Sequence, residues 1–229
     1  TPTRRQRQMC IRDRENTMSE IVVQKFGGTS VGTVDRIDSV AEIIKNASKL
    51  NKIVVVVSAM GGETNRLVDL AKAFGDDPDK REFDALVSTG ETVSSALLTM
   101  ALHSKGIKAK SFSASQISMR TTSSYSKAKI LDVDAKKILD VIDSDTIPII
   151  TGFQGVTEGG DVTTLGRGGS DTTAVAIAAQ IDAVRCDIYT DVDGIFTTDP
   201  GVVPNAKKLD SITMEEMLEL AGQGAKVVQ

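Results

Sequence analysis

The sequence predicts an α/β fold: a mainly parallel central sheet with helices on both faces. Three observations carry this. Short apolar runs at 21–26, 52–57, 107–112, 147–151 and 183–190 alternate with segments of helical periodicity, the pattern of strand–helix–strand units. The run at 52–57 is almost entirely β-branched, as in a strand covered on both faces. Loops rich in small and polar residues follow the strand ends at 27–30, 58–62, 152–171 and 190–200, where open parallel sheets bind ligands.

In order, the strand at 21–26 leads into Lys25-Phe26-Gly27-Gly28-Thr29-Ser30. From 34 to 50, Ile37, Val40, Ala41, Ile44 and Ala47 share one helical face. After the strand at 52–57 comes Ser58-Ala59-Met60-Gly61-Gly62, then a helix expected over 65–74 with Leu67, Leu70, Ala71 and Phe74 in register. Residues 81–105 read as a long helix interrupted at Gly90. A glycine inside a helix costs about 1 kcal/mol against alanine, so a close neighbour or ligand is expected there. Residues 113–126 read as a surface loop or hairpin, and Asp134 as the cap of a helix to about 142. The strand at 147–151 delivers the chain into 152–171, which holds seven of the 19 glycines. A helix over 172–181 follows, then the strand at 183–190. Thr213 and Glu216 form a capping box for a helix ending near Leu220.

Composition narrows the function. With 40% hydrophobic and 25% charged residues the chain reads as a globular domain. A net charge of −4 and 3% aromatics without Trp speak against a nucleic-acid surface. No apolar run is expected to cross a membrane. Cys10 and Cys186 lack metal-ligand spacing, and the single histidine, His103, cannot found a metal site alone. His103 and Cys186 are read as structural, and a reducing cytoplasm fits the sparse cysteines. Residues 1–17 carry five arginines and lack the apolar core of a signal peptide. They are expected to be a disordered, non-native extension ahead of Met18, with a basic nucleic-acid arm as the alternative.

The loops suit an anionic ligand. Glycines let backbone N–H groups converge, and a loop opening a helix adds the helix dipole. The stretch ending in Arg167, Ser170 and Asp171 has this form, and Lys25 adds a compact positive charge beside Gly27 and Gly28. No Walker loop, dinucleotide fingerprint or protein-kinase signature occurs. Glu91 could equally be a solvated helix residue, and Asp191 and Asp193 could form an Asx turn or bind a ribose, an amine or a metal.

Together these motifs resemble the aspartate kinases. The carriers are Lys-Phe-Gly-Gly-Thr-Ser-Val at 25–31, Ser-Ala-Met-Gly at 58–61, Thr-Gly-Glu at 89–91 and Gly-Phe-Gln-Gly at 152–155. Thr-Thr-Leu-Gly-Arg-Gly-Gly-Ser-Asp at 163–171 and Thr-Asp-Val-Asp-Gly at 190–194 complete the set. The resemblance implies the amino-acid kinase fold and transfer of a phosphoryl group from ATP, with Mg²⁺, to the side-chain carboxylate of L-aspartate. It implies that Lys25 bridges the phosphates, that Phe26, Gly27, Gly28 and Ser58 contact ATP, and that Asp171 orients Lys25. Arg167, with Gly168, Gly169 and Ser170, would hold the aspartate α-carboxylate; Glu91 would take its amino group, and Thr64 would contact the substrate. Thr190, Asp191, Phe196, Thr197, Asp199, Pro200 and Lys226 would hold the nucleotide. No metal site built from protein side chains is implied. Phe196 and Gly201 depart from the family's Tyr and Arg, and loss of that Arg is expected to raise the KM for ATP. Residues 18–229 are expected to be a catalytic domain that is incomplete at its C-terminus, and the full-length protein a homo-oligomer. A nucleotide- or aspartate-binding protein without transfer is the rival reading.

Overall fold

A computed structural model describes residues 20–191 together with 205 and 207. The readings made for 1–17, for Phe196, Thr197, Asp199, Pro200, Gly201 and Lys226, and for the helix after Thr213 lie outside the described residues.

The central sheet has five strands in the order β3 (Ala109–Phe112), β6 (Ile147–Thr151), β2 (Lys52–Val57), β1 (Ile21–Phe26), β9 (Arg185–Tyr189). Every pairing in it is parallel. The chain leaves β1 towards β2 and returns on the other side of β1 with β9. That reversal of strand order opens a crevice at the carboxyl end of β1.

Both faces are covered. In β2, Ile53, Val55 and Val57 join one core cluster, while Val54 and Val56 join the other. This alternation is why the run is apolar without interruption. The first cluster takes Ile37, Val40, Ala41 and Ile44 from α1 (Val34–Ala47) and Leu98 and Leu102 from α4 (Thr89–Ser104). The second takes Ile138 and Ile142 from α5 (Ala135–Asp143) and Ala174, Ile177 and Ala178 from α6 (Gly169–Gln180). Asp134 caps α5 by accepting from the Lys137 amide at 3.3 Å.

Several boundaries move. Helix α2 spans Glu63–Lys72, starting earlier than its apolar spacing suggests. Phe74, expected on its buried face, lies beyond the helix end and is 93% exposed. The long helix divides at Ser88, not at Gly90, into α3 (Lys80–Val87) and α4. Ser88 keeps helical angles, so the two run on almost as one. The combined stretch Lys80–Ser104 is long and apolar enough to cross a membrane, contrary to the sequence expectation. Half of its most apolar segment is buried inside the fold, however, and the stretch carries Asp84 and Glu91 bonded to interior partners. Its apolarity is that of a core helix.

A second, four-stranded sheet was not foreseen. Its order is β5 (Ile130–Asp132), β4 (Arg120–Thr121), β7 (Gln154–Val156), β8 (Val162–Thr164). Strands β4 and β5 make a hairpin that runs past the surface loop or hairpin expected over 113–126, and Ala114, Ile117 and Met119 of that stretch are buried in the second core cluster; β7 and β8 form another hairpin inside the glycine stretch. Thr121 and Thr163 share a buried hydroxyl–hydroxyl bond of 2.6 Å across this sheet.

Candidate functional site

The loops after β1, β2, β8 and β9 meet at the carboxyl edge of the central sheet around a cavity of about 460 Å³. Lys25, Gly27, Gly28, Ser58, Thr64, Glu91, Arg167, Gly168, Gly169, Ser170, Asp171, Thr190 and Asp191 all border it. Volume alone does not single it out. A hollow of about 450 Å³ opens at the amino ends of the strands, where Lys52 pairs with Asp143. The upper cavity differs in its buried charges and glycine loops.

Lys25 owes its place to strand alternation. It shares the face of β1 occupied by Val23, and α6 covers that face. The first turn of α6 carries Asp171, whose Oδ1 meets Lys25 Nζ at 2.7 Å. Lys25 is 7% exposed, and a cation that buried needs a counter-charge. At that distance the pair is held by charge, and Asp171 Oδ1 has no partner besides the ammonium.

The loop after β1 is closed by Gly27 N–H donating to Tyr189 C=O at 3.0 Å. A Cβ on Gly28 would sit 2.9 Å from the Ala59 carbonyl, so only glycine lets the first two loops touch. Phe26, expected at the nucleotide, does not present its side chain to the cavity. It is fully buried in the core and stacks on Tyr189 with ring centroids 4.5 Å apart. Strand alternation turns Phe26 away as it turns Lys25 inward.

Glu91 is only 3% exposed, which overturns the reading of a solvated helix residue. Its Oε1 accepts from Ala59 N–H at 3.2 Å, while its Oε2 is buried with no partner. Burial, only partly offset by backbone hydrogen bonds, pushes its carboxyl up to about 7. Gly90 supplies the access. A Cβ there would lie 2.8 Å from Ala59 Cβ, so glycine allows α4 to seat against the second loop. Ser94 fixes that loop further, donating to Ser58 C=O at 2.6 Å.

Arg167 stands exposed at the cavity and makes no ion pair among the described residues. Beside it the first turn of α6, Gly169 to Asp171, faces the same space, and no side chain caps that helix. Its dipole and its Arg167 neighbour favour an anion. Thr190 and Asp191 are exposed at the end of β9, with Thr190 Oγ1 donating to Asp191 Oδ1 at 3.3 Å. Among the described residues no three His, Cys, Asp or Glu side chains converge as a metal site. His103 bonds Ala109 C=O at 2.8 Å, Cys186 is half-buried on β9, and neither borders the cavity.

Phe153 lies outside the expected site residues, although the motif Gly-Phe-Gln-Gly at 152–155 contains it. It borders the cavity with φ of 68°, a left-handed conformation rare for an aromatic residue. Its N–H donates to Thr173 Oγ1 at 3.2 Å and its C=O accepts from Leu165 at 2.9 Å, which holds it there. An aromatic directly after a strand-end glycine was the available signal.

Fold and site together define an α/β protein with a charge-lined cavity at the carboxyl ends of a parallel sheet, beside a glycine-rich helix N-terminus. The chain belongs to the amino acid kinase family, whose pattern it matches over residues 20–229. It is 55% identical over 210 residues to an aspartate kinase of Pseudomonas putida, covering 91% of this chain and 51% of that one. It thus spans about half the length of the curated relatives it matches. Among solved structures it resembles E. coli aspartokinase III in complex with aspartate and ADP, with TM-score 0.83 and 33% identity, over 92% of this chain and 58% of that one. It also resembles the aspartate kinase from Synechocystis, with TM-score 0.78 and 48% identity, over 91% of this chain and 35% of that one.

Proposed function

We propose that this protein transfers the γ-phosphoryl group of ATP to the side-chain carboxylate of L-aspartate, giving 4-phospho-L-aspartate and ADP. The observation that carries the reading is the pairing, in one cavity, of Lys25 with its Asp171 partner and of Glu91 with a buried unpartnered oxygen. The first suits a phosphate and the second an ammonium. Arg167 supplies a planar fork for a carboxylate between them. Aspartate has the matching groups, and the similar E. coli aspartokinase III carries aspartate and ADP.

In the reaction an oxygen of the aspartate β-carboxylate bonds to the γ-phosphorus while the bond to the β,γ-bridging oxygen breaks. The carboxylate is already ionised at neutral pH, so no base has to remove a proton. The obstacle is repulsion between two anions. Lys25 and the glycine amides of the first loop offset it, and Glu91 and Arg167 fix the aspartate backbone so that its side chain points at the phosphate. Asp171 steers Lys25. Mg²⁺ arriving with ATP would supply further charge neutralisation at the phosphates. The same reading makes this the first step towards lysine, threonine and methionine, in a cytoplasmic homo-oligomer.

The test is a hydroxamate assay with ATP and Mg²⁺ and with aspartate, glutamate or acetylglutamate in parallel. Hydroxylamine traps the acyl phosphate, and product is expected with aspartate alone. Equal product with glutamate would overturn the substrate. Binding of aspartate and ATP without turnover would point instead to a non-catalytic binding protein.

A further inference from the structure

Asp84 lies in α3 and is fully buried. It accepts from the backbone N–H groups of Ser126 at 2.8 Å and Thr164 at 2.7 Å through Oδ2. Through Oδ1 it accepts from the hydroxyls of the same residues, at 3.0 and 2.9 Å. Both of its oxygens are therefore bonded twice, in contrast to Glu91 with its unpartnered Oε2. Thr164 ends β8, and three residues later comes Arg167.

Asp84 is one of a column. Arg81, Asp84, Ser88 and Glu91 are spaced three, four and three residues apart, which places them on one stripe of a nearly continuous helix. Arg81 Nε donates to Asp161 Oδ1 at 2.7 Å in the turn between β7 and β8. The Ser88 carbonyl accepts from the Gln154 side chain in β7. The stripe that ends in Glu91 is thus fastened to the β7–β8 hairpin at three levels, and that hairpin leads directly to Arg167. Asp84 lies two turns below Glu91, about 10 Å along the axis. Arg167 itself has no ion pair among the described residues to aim it, so the backbone entering its loop sets its position.

We propose that Asp84 is a positioning residue for substrate binding: it fixes the register of β8 on α3 and thereby the separation of Arg167 from Glu91. This rests on the reading above, in which those two side chains grip the same amino acid by its α-carboxylate and its ammonium. Two groups reading one α-carbon tolerate little error in their spacing. An apolar residue could pack α3 against β8, but only directional bonds to backbone N–H groups fix which residue sits where.

The test compares Asp84→Ala with Asp84→Asn. In the asparagine variant the carbonyl oxygen can take both backbone N–H groups, and the NH₂ can donate to both hydroxyls, which rotate to accept. Asp84→Ala is expected to raise the KM for aspartate about tenfold or more while the KM for ATP stays within about twofold, and Asp84→Asn to restore both. A parallel rise in both KM values, or no rescue by asparagine, would overturn the proposal. Should Asp84→Ala fail to fold, Thr164→Val removes one donor at similar volume; a raised KM for aspartate alone supports the clamp, and unchanged kinetics refute it. Tryptic cleavage after Arg167, followed by mass spectrometry, needs no turnover. Faster cleavage in Asp84→Ala than in Asp84→Asn or the parent supports the clamp, and equal rates in all three refute it. Absence of turnover in the parent would sink the functional reading but leave this last comparison decisive.

Discussion

Replacing Glu91 by Gln is expected to stabilise the empty protein at neutral pH while impairing it. Burial raises the Glu91 carboxyl from 4.5 to about 7. Between those values the folded state holds a proton that the unfolded state has released, so stability falls as pH rises through the window. At about 1.4 kcal/mol per pH unit the total is about 3 kcal/mol, an order-of-magnitude figure, complete above pH ~7 and absent below pH ~4.5. Glutamine keeps the Ala59 bond, which uses Oε1, and replaces an unpartnered acceptor by an unpartnered donor, so little else changes. Thermal unfolding of both proteins by circular dichroism from pH 4 to pH 8, with no ligand, is the assay. The melting temperatures should coincide near pH ~4 and separate by about 6–12 °C at pH ~8, Glu91→Gln being the higher. Aspartate should close the gap, since its ammonium supplies the missing counter-charge in the parent only. A difference independent of pH, or a parent that gains on the variant as pH rises, would refute the reasoning.

Other outcomes follow from the same geometry. Lys25→Ala should lower kcat by about 100- to 1000-fold in the hydroxamate assay, because the group opposing the transferred charge is gone; full activity would remove Lys25 from the mechanism. It should also destabilise the fold in denaturant titration, since Asp171 loses its counter-ion. Arg167→Lys should raise the KM for aspartate about tenfold with the KM for ATP unchanged, since a point charge replaces a fork. Gly90→Ala should cost about 1–3 kcal/mol in denaturant titration, as the new methyl meets Ala59 Cβ at 2.8 Å. It should also weaken aspartate binding through the displaced second loop, readable by calorimetry.

Strong local patterns made the central sheet and its helices legible in the sequence. Strands β1, β2 and β6 have the expected bounds because β-branched and apolar residues fill both faces of the sheet. The second sheet was not legible. Its strands are two or three residues long, too short for period-two alternation, and Thr121 finds Thr163 across 42 residues. The cavity residues were identifiable because they cluster at strand ends, but the state of each was not. Nothing around Phe26 shows that its ring turns into the core while Lys25 turns to the cavity; that depends on which face α6 covers. Nothing near Glu91 shows that it is buried; that depends on Gly90 letting α4 reach Ala59.

The acidic residues make the limit concrete. Asp84, Glu91 and Asp171 all sit in helices beside small or apolar residues, and local sequence does not rank them. Donors do. Asp84 receives four, which spends its capacity on holding the loop at Ser126 and the end of β8 together. Glu91 receives one amide from Ala59 and keeps an unpartnered oxygen, and Asp171 holds the Lys25 ammonium at 2.7 Å. A buried carboxylate is tolerated cheaply only when its oxygens are satisfied. The unsatisfied oxygen of Glu91 is therefore a standing expense of the empty fold, and it borders the same cavity as the Lys25–Asp171 pair. Ligand binding can recover that energy, with an ammonium on Glu91 and a phosphate sharing Lys25. The satisfied carboxylate does the complementary work of keeping the walls apart at the distance the ligand needs.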